Sequence, residues 1–185
     1  MRTVLVLAVT LGLAACQSED PVAEAPAAEV PAVEAVGVQP VSATLDAAPS
    51  GDGPALTVYK TPTCGCCTAW GEYMEAEGFS VRMEDVTDLA AVKDSLGVPS
   101  DLGSCHTGVV TDGGARYLVE GHVPAEHVRR LLDERPAARG LAVPGMPIGS
   151  PGMEQGDRRQ PYDVLVVDES GEAAVFAHVP GNTAP

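Results

Sequence analysis

Leu56-Thr57-Val58-Tyr59-Lys60-Thr61-Pro62-Thr63-Cys64-Gly65-Cys66-Cys67-Thr68-Ala69-Trp70 is the stretch on which the fold of this chain turns. Leu56 to Lys60 is a short apolar run and reads as a buried strand. From Thr68 to Glu77 the pattern becomes helical, with Trp70 and Met74 four apart on one face and Gly78 closing the helix. Three cysteines therefore stand at a strand-to-helix turn. A helix N-terminus favours negative charge and lowers thiol pKa, so thiols placed there are ready ligands or nucleophiles.

Outward from that turn, Phe79 to Val86 alternates as a half-buried second strand. Asp88 caps a short helix with Leu89, Val92 and Leu96 inward, stopped by Gly97 and Pro99. Thr107 to Thr111 and Arg116 to Glu120 flank the turn Asp112-Gly113-Gly114, a two-strand signal. Pro124 then starts a helix with Val128, Leu131 and Leu132 inward. The predicted class is α/β, and the order β-α-β-α-β-β-α is that of a thioredoxin-like domain, where a thiol motif sits at the first strand-to-helix turn. Gly140 to Pro161 is rich in glycine and proline without periodicity, and a loop of that length is functional or disordered. Tyr162 to Val167, the turn Glu169-Ser170-Gly171, and Ala173 to Val179 form a C-terminal hairpin that extends the sheet or covers one edge.

The N-terminus is of another kind. Arg2 precedes a 12-residue apolar run, Val4 to Ala15, too short to span a bilayer and of export-signal length. Leu13-Ala14-Ala15-Cys16 looks like the lipobox of bacterial lipoproteins, which makes Cys16 the lipidated mature N-terminus and ties the protein to a membrane by a lipid anchor. The plainer alternative is a soluble secretory signal with a chance cysteine. Gln17 after the lipid cysteine resembles the enteric pattern for the outer membrane. Residues 17–55 hold seven acidic groups, no Lys or Arg, and prolines at 21, 26, 31, 40, 49 and 54. Such a segment cannot bury enough to fold and reads as a tether reaching from ~35 Å as a flexible coil to at most ~120 Å when extended. The expected division is a signal peptide over 1–15, a disordered acylated tether over 16–55 and a folded domain over 56–185, facing the periplasm from the cell envelope. With a net charge of -15 the chain lacks the Lys/Arg footprint of a nucleic-acid partner.

A single buried cysteine is usually a small apolar core residue. Three in four positions is different, because Cys66 and Cys67 cannot both face one core on a helix, and unpaired thiols in an exported protein oxidise unless something holds them. Inert disulfides are the plain structural alternative. Cys64 and Cys67 also have the C-x-x-C spacing of thiol-disulfide oxidoreductases, a reading that leaves Cys66 and Cys105-His106 unused. Taking Cys64, Cys66, Cys67 and Cys105 as thiolate ligands of a soft metal, with His106 as an imidazole ligand or supporting contact, uses the whole set. Zinc in a closed four-thiolate site is the alternative, but its ligand pairs are normally spaced C-x₂₋₄-C. Crowded thiolates bridge well between several Cu(I) ions and approach neutrality with them, so copper ranks ahead of zinc.

Met146 and Met153, in the rigid loop Pro144 to Glu154, are weaker candidate ligands through soft thioethers, or else hydrophobic plugs over the cysteine turn. His122, His127 and His178 read individually as surface or core residues rather than ligands. No P-loop or nucleophile-base pattern is present. The chain reads as a metal-binding protein; as an enzyme it would be a copper or thiol oxidoreductase.

The set Tyr59 to Cys67, Cys105-His106-Thr107, Glu120-Gly121-His122-Val123-Pro124 and Gly145-Met146-Pro147 through Gly152-Met153-Glu154 closely resembles the CopG-like metal-binding family, over about Leu56 to Pro180. That resemblance implies a thioredoxin-like fold, an exported setting and a role in copper homeostasis and resistance. It implies a copper-thiolate cluster held by Cys64, Cys66, Cys67 and Cys105, with His106 as a further member. Partners in keeping with it are copper ions and other periplasmic copper carriers or efflux components.

Overall fold

The structure is a computed structural model that describes residues 52–182. The expected signal peptide, the lipidation site Cys16 and nearly all of the tether lie outside the described residues. No helix among the described residues is long and apolar enough to cross a membrane.

Strand β1 (Ala55–Lys60) leads into α1 (Gly65–Ala76), β2 (Ser80–Asp85) and α2 (Leu89–Leu96). A 3-10 turn at Ser100–Leu102 precedes the hairpin β3 (His106–Asp112) and β4 (Ala115–Glu120), then α3 (Ala125–Glu134), β5 (Gly140–Ala142), β6 (Tyr162–Val167) and β7 (Ala173–Val179). All seven strands form one mixed sheet in the order β2-β1-β3-β4-β5-β6-β7. β1 runs parallel to β2 and β4 to β5, and the other neighbours are antiparallel. The described residues are thus α/β with three α-helices, in the expected order of elements.

Two features depart from the sequence pattern by more than a residue at an element's end. Helix α1 starts at Gly65, not Thr68, because the Cys64 carbonyl already accepts from the Thr68 amide at 3.3 Å. Glycine and cysteine are poor helix formers, so propensity hides this first turn. The loop after α3 also contains a strand, β5, only three residues long, wedged between β4 and β6. Through it the C-terminal hairpin extends the sheet.

The main core joins the inward stripes of α1 and α3 to one face of β1, β3 and β4. Cys67, Trp70, Gly71 and Met74 recur at helical spacing as the buried residues of α1, and Ala125, Val128, Leu131 and Leu132 do the same on α3. They meet Leu56, Val58, Val110 and Val119 from the strands. Strand residues alternate between faces, so Thr107, Leu118 and Glu120 look the other way. Helix α2 lies over that second face, with the Asp88 carboxylate capping it by accepting from the Ala91 amide at 2.9 Å. Leu89, Val92 and Leu96 are only partly buried there.

Candidate metal centre

Two backbone registers bring the sulfur together. β1 pairs antiparallel with β3 and ends opposite its start, Lys60 facing His106, so the turn after β1 arrives beside Cys105. β3 also pairs antiparallel with β4, Thr107 facing Glu120, which carries the residues after β4 back to Cys105.

On the helix side, Cys64 is the N-cap residue and Cys66 and Cys67 lie in the first turn of α1. Cys64 and Cys67 form a disulfide, with Cα atoms 5.4 Å apart, while Cys66 and Cys105 are free and half-buried. Cys66 Sγ stands 3.6 Å from Cys64 Sγ and 3.8 Å from Cys105 Sγ. Cys67 Sγ lies 3.4 Å from the Cys105 carbonyl oxygen. The four sulfur atoms are all within 4.8 Å of one another, so reduction of the bridge leaves four thiols converging on one space.

Nitrogen joins from the strand side. Cys105 Sγ is 3.5 Å from His106 Nδ1 and 3.1 Å from His122 Nε2, and these three side chains form a second group within 4.8 Å. Both imidazoles are fully buried. His106 stacks on Trp70 with ring centroids 4.4 Å apart and meets His122 edge-on at 4.9 Å. The Trp70 indole N–H donates to the Val123 carbonyl at 3.0 Å, which fixes the ring against which His106 rests.

By sequence His122 reads as a surface or core residue, whereas the structure sets it against Cys105. The signal was there in the hairpin: Asp112 pairs with Ala115 across a two-residue Gly113-Gly114 turn, and extending that register places position 122 opposite 105. His122 Nδ1 lies 2.8 Å from the Pro151 carbonyl, which only accepts, so this nitrogen carries the proton and Nε2 presents a lone pair toward Cys105. A backbone carbonyl orienting one ring nitrogen while the other faces soft donors is the usual arrangement of a metal-binding histidine.

Electrostatics favour neutral donors. Burial, reinforced by the Cys66 charge, pushes the Cys105 thiol up to about 12. Burial likewise holds His106 well below its ordinary value, helped by His122 and Lys93, and lowers His122. Imidazoles kept unprotonated are competent ligands, and a thiol that keeps its proton in the metal-free state yields it only to a strongly competing cation. His106 turns Nδ1 toward Cys105 and keeps Nε2 buried on the other side of the ring. These donors, sulfur and neutral imidazole, suit a soft ion such as copper.

The glycine-proline loop closes over this site. Gly152, at φ 80°, runs so close to the Cys66 carbonyl and Trp70 backbone that a side chain there would collide with α1. Met146 is 51% exposed and so does not serve as a hydrophobic plug, and Met153 is half-buried. His127 is half-buried beside Phe176 on α3, and His178 pairs with Asp163 at the surface.

A family model described as "Protein of unknown function, DUF411" matches residues 102–153, the segment with Cys105, His106, His122 and the covering loop. No curated protein matches the chain. Two solved structures do. One, titled "Copper resistance protein copG- Form 2", is 49% identical, with a TM-score of 0.64, over 70% of this chain and 100% of that one. The other, "Copper resistance protein copG- Form 1", is 50% identical, with a TM-score of 0.63, over 68% of this chain and 97% of that one. Half of the positions being identical across the whole of such a relative, this chain belongs to the CopG copper-resistance family.

Proposed function

We propose that this protein binds Cu(I) in the cell envelope through Cys64, Cys66, Cys67 and Cys105, supported by His106 and His122, and so contributes to copper homeostasis and resistance. The observation that carries this reading is the convergence of four sulfur atoms within 4.8 Å, with neutral imidazoles against the fourth. Four thiolates repel one another in so small a space, and several Cu(I) ions bridged by sulfur neutralise them. Met146 and Met153 are further soft donors in the loop over the site. The domain reads as thioredoxin-like, supported by the parallel β1 and β2, the antiparallel β3 and β4, and the thiols at the first strand-to-helix turn. Attachment through a lipid on Cys16, with residues 16–55 as tether, belongs to the same proposal and makes the periplasm the site of action, at the outer membrane by the Gln17 pattern.

The bound metal supplies a soft Lewis acid able to change oxidation state; the protein's own residues collect it, hold it and keep water away. Copper carriers and efflux components are the partners this role calls for. One observation favours a second reading, thiol-disulfide exchange: the Cys64–Cys67 bridge, with the free Cys66 thiol 3.6 Å from Cys64.

Metal content separates these readings. The reduced protein, loaded anaerobically with excess Cu(I) and stripped with a competing chelator, should retain several coppers and lose them on Cys105→Ser. One tightly held Zn²⁺ and no copper would point to a structural zinc site. Retention of no metal, with a reversible Cys64–Cys67 disulfide and disulfide-exchange activity that survives Cys105→Ala, would establish the oxidoreductase instead.

A further inference from the structure

Behind the cysteine site, on the sheet face under α2, lies a buried ion pair that metal binding does not use. Glu120 is fully buried, and its carboxylate receives three donors. Oε1 accepts from the Ser104 amide at 2.6 Å and from Lys93 Nζ, and Oε2 accepts from the Thr107 hydroxyl at 2.6 Å. Lys93 Nζ also donates to Thr107 Oγ1 at 2.7 Å and to the His106 carbonyl at 3.3 Å.

Ser104 and Thr107 flank Cys105-His106. One carboxylate thus grips both ends of the dipeptide that carries a thiol and an imidazole into the site, while Lys93 holds the carbonyl inside it. Glu120 also stands two residues before His122, and its backbone carbonyl accepts from the Val143 amide at 2.9 Å, tying β4 to the chain that enters the covering loop. Ser104 Oγ donates to the Gly145 carbonyl of that loop. Gly121, at φ 71°, makes the bend between Glu120 and His122, where a side chain would strike Ser104 and the Val143 carbonyl.

A buried ion pair is a poor way to stabilise a fold, since apolar residues of similar volume often do as well or better. What charge-assisted bonds supply is directional constraint. We infer that Glu120, fixed by Lys93, is the positioning residue that sets Cys105 and His106 against the thiols of α1. This rests on the Cu(I)-thiolate reading for its consequence, though not for its geometry.

The test uses the full chain, reduced and metal-free, in two readouts: the alkylation rate of each thiol by iodoacetamide, resolved by mass spectrometry, and the Cu(I) retained against a chelator. Glu120→Gln should raise the Cys105 rate about tenfold, the equivalent of one charge-assisted bond lost, and leave Cys66 within about twofold. Its retained copper should fall to that of Cys105→Ser. Thr107→Val, which keeps the ion pair and loses one grip, should move Cys105 the same way by a smaller factor. A double variant, Lys93→Met with Glu120→Leu, removes both charges together and guards against a variant that fails to fold. Cys105 fast in the double variant at a restored melting temperature supports positioning, whereas restored melting with a wild-type Cys105 rate overturns it. Glu120→Gln folded with a wild-type Cys105 rate overturns it as well. Because alkylation needs no metal, a wild-type protein that retains no copper would defeat the Cu(I) reading while the Cys105 rates still decide the role of Glu120.

Discussion

The two turns that meet at the metal centre are built differently. The α1 turn is local: Thr61 to Cys67 is one continuous segment, closed by the Cys64 amide donating to the Thr61 carbonyl at 3.1 Å, and the buried Cys67 and Trp70 hold it to the core. The Cys105 turn is assembled from afar, with Glu120 gripping Ser104 and Thr107, Lys93 reaching over from α2, and His122 brought in by the hairpin. Local turns keep their shape as long as the helix does. An assembled turn depends on every contributor, so changes distant in sequence should disturb the Cys105 side first.

The largest expected effect tests whether the sides act together. If about 10–16 kcal/mol of binding in a four-ligand site is shared evenly, each thiolate contributes roughly 3 kcal/mol, or about a hundredfold in affinity. Replacing Cys64, Cys66 and Cys67 together with Ser should therefore abolish Cu(I) retention, and Cys105→Ser should weaken it about a hundredfold. Copper stoichiometry after chelator challenge measures both, and unchanged stoichiometry in the triple variant would sink the thiolate site.

Next comes the residue the two sides share. Trp70 is fully buried, donates to the Val123 carbonyl and forms the floor under His106. Trp70→Ala should destabilise the domain by about 3–5 kcal/mol through lost burial and a cavity. Thermal melting would show it, and a loss below about 1 kcal/mol would mean that the site does not lean on this ring.

His122 sharpens the comparison further. Its Nδ1–H is spoken for by the Pro151 carbonyl, so His122→Ala removes both a donor facing Cys105 and a tie to the covering loop. We expect copper affinity to fall about 10- to 100-fold with the fold intact, the loss typical of removing a group that supports the ligands of a metal site. A competition titration against a Cu(I) chelator gives the number; wild-type affinity would place His122 outside the ligand set.

The same division explains what could be read from the sequence. Strand-turn-helix at Leu56 to Glu77, the Asp88 cap, the Gly113-Gly114 hairpin and the inward stripe of α3 are signals carried within a dozen residues, and the fold follows them closely. His122 is nearly invisible to such reasoning, because one histidine after a strand has no local partner; only the hairpin register reveals what it faces. Glu120 is harder still, since a carboxylate at a strand end reads as a solvated charge until Lys93 is known to cross over it. The three-residue β5 carries no periodicity and exists only because β4 and β6 supply its hydrogen bonds.

The last effect concerns protons, in the reduced metal-free protein. Burial lowers His106 and His122 below the ordinary histidine value near 6.5. The unfolded chain therefore binds protons that the folded chain refuses as pH falls through that value, and folding stability rises with pH wherever the unfolded state holds more protons. The stabilisation these histidines lend is fully present above pH 6.5 and drains away as pH drops toward their folded values. The slope is at most about 1.4 kcal/mol per pH unit for each proton taken up. Denaturant melts between pH 7.5 and 5 should show this loss, and His122→Asn should flatten it by removing one of the two groups. On the proposed reading Cu(I) would compete with protons for the same nitrogens and oppose the acid loss, so copper should stabilise the domain more than added salt does and by a margin that shrinks as protons compete. A melting profile indifferent to pH over this range would mean that the imidazoles open to water before the domain unfolds, and that the Cys105 side is looser than its hydrogen bonds imply.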